Sequence, residues 1–339
     1  MNEKMILGYV GNTGIVTPKQ AKQLTHINIA FGHLNSDGTI SVEHLTVLNK
    51  MDEIRSHNPD IKIVLSLVPA EPDAFTVCCA SSELREKVGE SCAKMVTDFN
   101  FDGVDLDWEY PCVPSNGANC TPADKQNFTY LCKTIRQHLD AIDGQRYVLS
   151  IAAGADLYYV ESVELPELMQ YLDYICLMTY DLKCGFHALA GHHTQLYSST
   201  GDVFRNSCDQ ALRLFHHAGV PKDRLLMGAA FYSRKWENIE DRNHGLLQIS
   251  KNGGGYGPDY GLLVESYVNK NGYIRYWDDE AKAPYLFNGS TFLSYDDEES
   301  LKAKCDYIKD EGFGGIFYWE HKCDPTGTLL DTICRELND

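Results

Sequence analysis

The stretch DGVDLDWEYP, residues 102–111, sets Asp105, Asp107 and Glu109 in alternation with Val104, Leu106 and Trp108. Side chains two apart in a strand share a face, so the segment reads as a strand with one apolar and one acidic side. Long amphipathic stretches flank it, SSELREKVGESCAKMVTDF (81–99) before and TPADKQNFTYLCKTIRQHLDAI (121–142) after. The first opens on a Ser-rich helix-start signal. A short strand between two helices is the unit of an α/β fold, and its repetition decides which one.

The unit recurs along the chain. MILGYV (5–10) precedes a short helix beginning at Thr17-Pro18, a cap followed by Pro at the first helical position. THINIAF (25–31) precedes a helix in which Leu45, Leu48, Met51 and Ile54 keep helical spacing, and IKIVLSL (61–67) follows. RYVLSIAA (146–153), LDYICLMTY (172–180), RLLMGAAF (224–231) and FGGIFYW (313–319) complete eight strand candidates that alternate with helices. Alternation implies a parallel sheet covered on both faces. Eight units predict an α/β fold of the closed (β/α)8 TIM barrel type rather than an open doubly wound sheet. No GxGxxG follows the first strand, which removes the usual reason to expect a dinucleotide fold.

From about Ser233 to Ser294 the rhythm breaks into Gly- and Tyr-rich, strand-like pieces. An excursion of that length is too long for a structureless loop. The expected organisation is a barrel of residues 1–232 and 295–339, with a small α+β insertion domain, 233–294, between the seventh and eighth strands.

Bulk properties narrow the function classes. The 339 residues carry a net charge of -18, which argues against nucleic acid as the main partner because phosphate binding needs a basic face. No apolar run is long enough to cross a membrane. The start, MNEKMILGYVGN, lacks a signal-peptide core and cleavage site, so as it stands the chain reads as cytoplasmic; a trimmed sequence would leave an extracellular setting open. Of the twelve cysteines, Cys92, Cys132, Cys176 and Cys305 sit in apolar periods and read as buried reduced thiols, whereas Cys112 and Cys120 flank a loop and are the best disulfide pair. No Cys/His spacing suggests zinc, and neither a metal nor a cofactor is expected. The sequons at Asn127 and Asn288 carry no weight in a chain without an export signal.

Three acids on one barrel strand point toward the axis and climb to the C-terminal mouth, where barrel enzymes do their chemistry. They cannot all ionise comfortably, so the outermost, Glu109, is placed to stay protonated and serve as a general acid. A cation site or a buried ion network is the competing reading. Hard cations prefer irregular loop spacing and backbone carbonyls, which period two on a strand suits poorly.

These residues resemble glycoside hydrolase family 18, the chitinases and their relatives. Asp102-Gly-Val-Asp-Leu-Asp-Trp-Glu109 resembles the family's DGxDxDWE signature. THINIAF, DKQNFTYLCKTIR, MTYD (178–181), AAFYSRKW (229–236) and GGIFYWE (314–320) are similar to further family segments, and the 233–294 excursion is similar to the small domain of chitinase-type members. The resemblance implies a retaining, substrate-assisted mechanism, an exception among retaining glycosidases. Glu109 would protonate the leaving oxygen while the sugar's 2-acetamido carbonyl attacks its own anomeric carbon. Asp107 would stabilise the oxazolinium ion, Asp105 would share a proton with Asp107, and Tyr180 would donate to the acetamido oxygen. Trp319 is expected as the floor under the sugar, although large aromatics are usually core. Asp181, Met178, Tyr232, Arg234 and Tyr110 are expected substrate contacts, with Tyr9 and Phe31 either contacts or packing.

Two departures stand out. SLVPAEP (66–72) has Val68 and Pro69 where the family has Ser-x-Gly-Gly, and GYVGNTG lacks a common Trp. The chain has only four tryptophans, so soluble chitooligosaccharides are favoured over crystalline chitin. The expected partner is therefore chitin or chitooligosaccharide, with no nucleic acid or membrane, for a monomer. An endo-β-N-acetylglucosaminidase, a cell-wall or spore-glycan hydrolase, and a non-catalytic chitin-binding lectin are the alternatives; the lectins typically lose the terminal Glu that is present here as Glu109.

Overall fold

The computed structural model describes residues 4–115 and 117–338. Among the described residues fourteen strands run in chain order: β1 (Met5–Val10), β2 (His26–Leu34), β3 (Ile40–Ser41), β4 (Lys62–Pro69), β5 (Gly103–Leu106), β6 (Val148–Gly154), β7 (Tyr174–Met178), β8 (Leu225–Ala230), β9 (Tyr232–Trp236), β10 (Gly254–Asp259), β11 (Ile274–Asp278), β12 (Ala283–Phe287), β13 (Phe292–Ser294) and β14 (Gly315–Trp319). Eight of them pair in parallel in the order β1-β14-β8-β7-β6-β5-β4-β2, and β1 pairs with β2 to close the ring. This is the predicted (β/α)8 barrel.

Its wall forms because the strands bury both faces. Val104, Leu106 and Trp108 face outward to the helical layer, where Trp108 stacks on Phe75 at 5.3 Å and meets Phe128 edge-on. The flanking helices Ser82–Phe99 and Asp124–Asp140 cover this side. Ser81 caps the first by accepting from the Leu84 N–H, and Asn100 ends it in the left-handed conformation. Thr17 likewise makes a capping box with Gln20 ahead of Pro18. Asp102 braces the start of β5, accepting from Arg55 Nη2 (2.7 Å), Lys62 Nζ (3.3 Å) and the Ile63 N–H (2.8 Å).

The barrel interior is a smaller core of Leu7, Tyr9, Ala30, Tyr174, Cys176, Leu226 and Phe317. Its other side is polar: Asn28, Ser66, Asp105 and Ser150 are wholly buried there.

Three details differ from the sequence expectation. β2 runs past Phe31 to Leu34, because His33 and Leu34 pair with β3 on one side and with Val68 and Pro69 on the other. Val68-Pro69 thus end a strand, where the N–H that proline lacks is least missed. β5 is short: Asp107 follows the paired segment, although its N–H still reaches the Leu67 carbonyl at 2.9 Å. Cys112 and Cys120 form no disulfide; the Cys112 thiol turns toward the Ser162 carbonyl at 3.6 Å, and all twelve cysteines are unbridged.

Between β8 and β14 the chain forms a second, antiparallel sheet of order β10-β9-β13-β12-β11. It has its own apolar cluster around Trp236, Tyr285, Phe287 and Phe292, which also takes in Ala190. β9 starts two residues after β8 ends, and Phe231 at the junction stacks on Tyr318 at 4.1 Å.

Candidate active site

The three acids climb as period two requires. Asp105 lies deepest and is wholly buried. Its Oδ2 accepts from Tyr9 Oη (2.9 Å) and Ser66 Oγ (2.7 Å), and its Oδ1 from Ser150 Oγ (2.7 Å). The parallel register explains this cradle, since Ser66 on β4 and Ser150 on β6 sit directly beside Asp105. Burial raises the Asp105 pKa even though the three hydroxyls oppose it.

Asp107 is the next group up. It is buried, and its Oδ1 has no hydrogen-bond partner among the described residues. Burial first, then the charges of Glu109 and Asp105, push its pKa well above the carboxylate range. No hydrogen bond joins Asp105 to Asp107 among the described residues, so any shared proton requires one side chain to turn. Glu109 stands at the mouth, where solvent reaches it. Protein nevertheless surrounds much of its carboxyl, and desolvation with the nearby Asp181 charge raises its pKa. A column of carboxyl groups whose pKa values are all raised holds its protons to higher pH than isolated carboxyl groups would.

Tyr180 follows the end of β7. It is half-buried and packs edge-on against Tyr232 and Phe317. Burial and the charges of Asp107 and Glu109 hold its hydroxyl protonated, and so able to donate.

Asp181, in the left-handed conformation, belongs to a tight cluster. It accepts from Tyr232 Oη (2.7 Å), from Arg234 Nε (2.6 Å) and also from Arg234 Nη2, with His193 Nδ1 at 3.5 Å. Burial alone would raise its pKa, but His193 and Arg234 outweigh it and hold the carboxyl ionised. Tyr232 and Arg234, both expected as substrate contacts, bind Asp181 in this structure. The Arg234 guanidinium also lies over the exposed Tyr256 ring at 3.7 Å.

Trp319 ends β14, half-buried, stacked on Phe31 (5.4 Å, 19°) and edge-on to Tyr9. Tyr9, expected as a contact or as packing, is 2% exposed and its hydroxyl donates to Asp105 inside the barrel. Phe31 packs under Trp319, Met178 is half-buried beside the inner core, and Tyr110 packs against Tyr158 and Tyr159. The cis peptide bonds Ala30–Phe31, Glu109–Tyr110 and Trp319–Glu320 all lie around this mouth.

Sequence reasoning passed over Ser66, Ser150 and His193. The serines carried a usable signal, a small hydroxyl inside the apolar runs IKIVLSL and RYVLSIAA. His193 carried none, because it reaches Asp181 through a long excursion after β7.

Comparison with known proteins agrees with this geometry. The profile of the glycosyl hydrolases family 18 matches residues 5–324. A solved family 18 N-acetylglucosaminidase from Paenibacillus barengoltzii is 47% identical, with a TM-score of 0.96 over 98% of this chain and 100% of that one. Chitinase A1 of Niallia circulans is 36% identical over 86% of this chain, and Chitinase B of Serratia marcescens is 29% identical over 95%. The chain spans 44% of the length of Chitinase A1 and 78% of Chitinase B.

Proposed function

The chain belongs to glycosyl hydrolase family 18, and on that premise we propose that it is a chitinase. It hydrolyses β-1,4-linked N-acetylglucosamine chains, chitin or chitooligosaccharides, with retention of the anomeric configuration. The observation that carries this reading is the acid column, with a protonatable Glu109 at the mouth and the unpartnered Asp107 oxygen beneath it.

Glu109 gives its proton to the glycosidic oxygen as the bond from that oxygen to the anomeric carbon breaks. The carbonyl oxygen of the 2-acetamido group forms the new bond to the same carbon. The positive oxazolinium ion that results lies against Asp107, which also accepts the acetamido N–H. Tyr180 donates its hydroxyl to the acetamido oxygen and fixes its line of attack. Water then adds to the anomeric carbon from the side the leaving group vacated as the bond from that carbon to the acetamido oxygen breaks, and Glu109 takes a proton from the water. Trp319 supports the ring, and Asp181, held by Arg234 and Tyr232, presents a fixed acceptor to a sugar hydroxyl. We also read residues 233–294 as an insertion subdomain forming one wall of the cleft.

Chitotetraose digestion followed by proton NMR tests this. β-Anomer should appear first, and Glu109→Gln should lower kcat by about 10²–10⁴-fold, the scale of general acid catalysis. An α-anomer as first product excludes the substrate-assisted route, and an intact tetramer excludes the hydrolase. A second reading rests on the 47% identity, over 98% of this chain and 100% of that one, to the N-acetylglucosaminidase: release of single sugars from a chain end. Monosaccharide as the first product from chitotetraose favours it, and chitobiose favours internal cleavage.

A further inference from the structure

Asn28 is a wholly buried polar side chain that the mechanism leaves unused. It projects from β2 into the barrel, and among the described residues neither its Nδ2 nor its Oδ1 has a hydrogen-bond partner. A buried amide without partners opposes folding, and an apolar residue at this position would avoid that cost. Its surroundings give it a purpose. In the strand register Asn28 lies beside Tyr9 of β1 and Val64 of β4. Tyr9 is itself a donor to Asp105. The amide acts on Asp105 in the direction that favours the ionised carboxyl, although no hydrogen bond of ordinary geometry joins the two among the described residues.

Asp105 has room for it. An ionised carboxylate offers about four acceptor positions. Three are filled, two on Oδ2 by Tyr9 and Ser66 and one on Oδ1 by Ser150. A protonated carboxyl gives up one such position, whereas an ionised one regains it.

On the hydrolase reading above, we infer that Asn28 is a positioning residue that donates its side-chain N–H to Asp105 when Asp105 gives its proton to Asp107. In that step the proton leaves the Asp105 carboxyl and joins the Asp107 carboxylate. Asp105 becomes ionised, Asp107 neutral, and the total charge is unchanged. The new hydrogen bond favours the ionised form of Asp105, so the proton stays near Glu109 and the reacting sugar. The other groups facing Asp105 do not substitute. Tyr9, Ser66 and Ser150 are already engaged, and Tyr174 and Cys176 of β7 are neutral with burial holding their protons on. Asp107 is the proton's destination, β8 and β14 bring Leu226, Phe317 and Trp319, none of them titratable, and His26 further down β2 is held neutral by burial, its pKa lowered to about 4.

The test compares the unmodified chain with Asn28→Leu, Asn28→Ala and Asn28→Ser on chitotetraose, with kcat and KM measured across pH. Below the acidic limb of kcat the Asp105–Asp107 pair carries a second proton. Removing a donor to ionised Asp105 makes that proton harder to lose, so the limb moves to higher pH. Asn28→Leu and Asn28→Ala should each raise the limb by about one unit and lower kcat about tenfold, with KM nearly unchanged. Asn28→Ser, which keeps a short donor, should recover part of both. Leu keeps the packing if the smaller residue does not fold. A folded Leu or Ala variant with an unmoved limb overturns the inference. So does a loss of kcat equal at all pH values that Ser does not relieve. An unmodified chain that leaves the tetramer intact overturns the hydrolase reading, and this inference falls with it; an active chain with an unmoved limb overturns the inference alone.

Discussion

Glu109 and Asp181 divide one electrostatic task. Burial and the fixed negative charge of Asp181 hold the Glu109 pKa above the ordinary carboxylate value. A general acid works only while protonated, so activity should persist as pH rises and decline through that raised pKa. Asp181→Asn removes the charge and lets the Glu109 pKa fall, so the high-pH limb of kcat/KM should shift to lower pH. A limb that stays in place would show that the Asp181 charge does not govern Glu109. Arg234→Lys should weaken the same carboxylate, because one ammonium cannot reproduce the two-pronged contact of the guanidinium. A rise in KM for chitotetraose would report it. At this scale the acids were legible, since period two places them from spacing alone. Tyr9 was not: whether a strand tyrosine meets a sugar or a carboxylate depends on what stands across the barrel.

The strand β5 shows what an element needs beyond its own sequence. Its start is held by Asp102, which satisfies the Ile63 N–H and pairs with Arg55 and Lys62. Asp102→Ala leaves that buried N–H unpaired and should cost about 1–3 kcal/mol, read from urea unfolding, with little change in kcat/KM. A large kcat loss at unchanged stability would instead place Asp102 in the chemistry. Strand cores were legible from β-branched runs, and β1 occupies the whole of MILGYV. Strand ends were not. β2 and β4 extend because they pair with each other beyond the barrel rim, and no property of THINIAF or IKIVLSL announces that pairing.

Across the whole molecule, a buried ion pair helps tie the segment after β7 and the turn leaving the second sheet to the barrel. Lys304, on the helix Glu298–Glu311, donates to Asp296 Oδ2 (2.6 Å) and Thr194 Oγ1 (2.7 Å), and Asp296 also accepts from the Ala230 N–H of β8. Lys304→Met would strand the Asp296 charge in the interior and should destabilise by about 3–5 kcal/mol, measured by thermal or denaturant unfolding. A neutral effect would mean that water reaches the pair. Local pattern sufficed for the alternation of strands and helices, for the closed barrel it implies, and for the acid column, because each rests on a period of two or 3.6 residues within one segment. Tertiary closure alone set the partners of those groups. Tyr9 meets Asp105 from 96 residues away, Arg234 meets Asp181 from 53, and Lys304 meets Thr194 from 110. Such pairs form where the ring of strands brings side chains together, and their separation along the chain leaves no periodic trace to read.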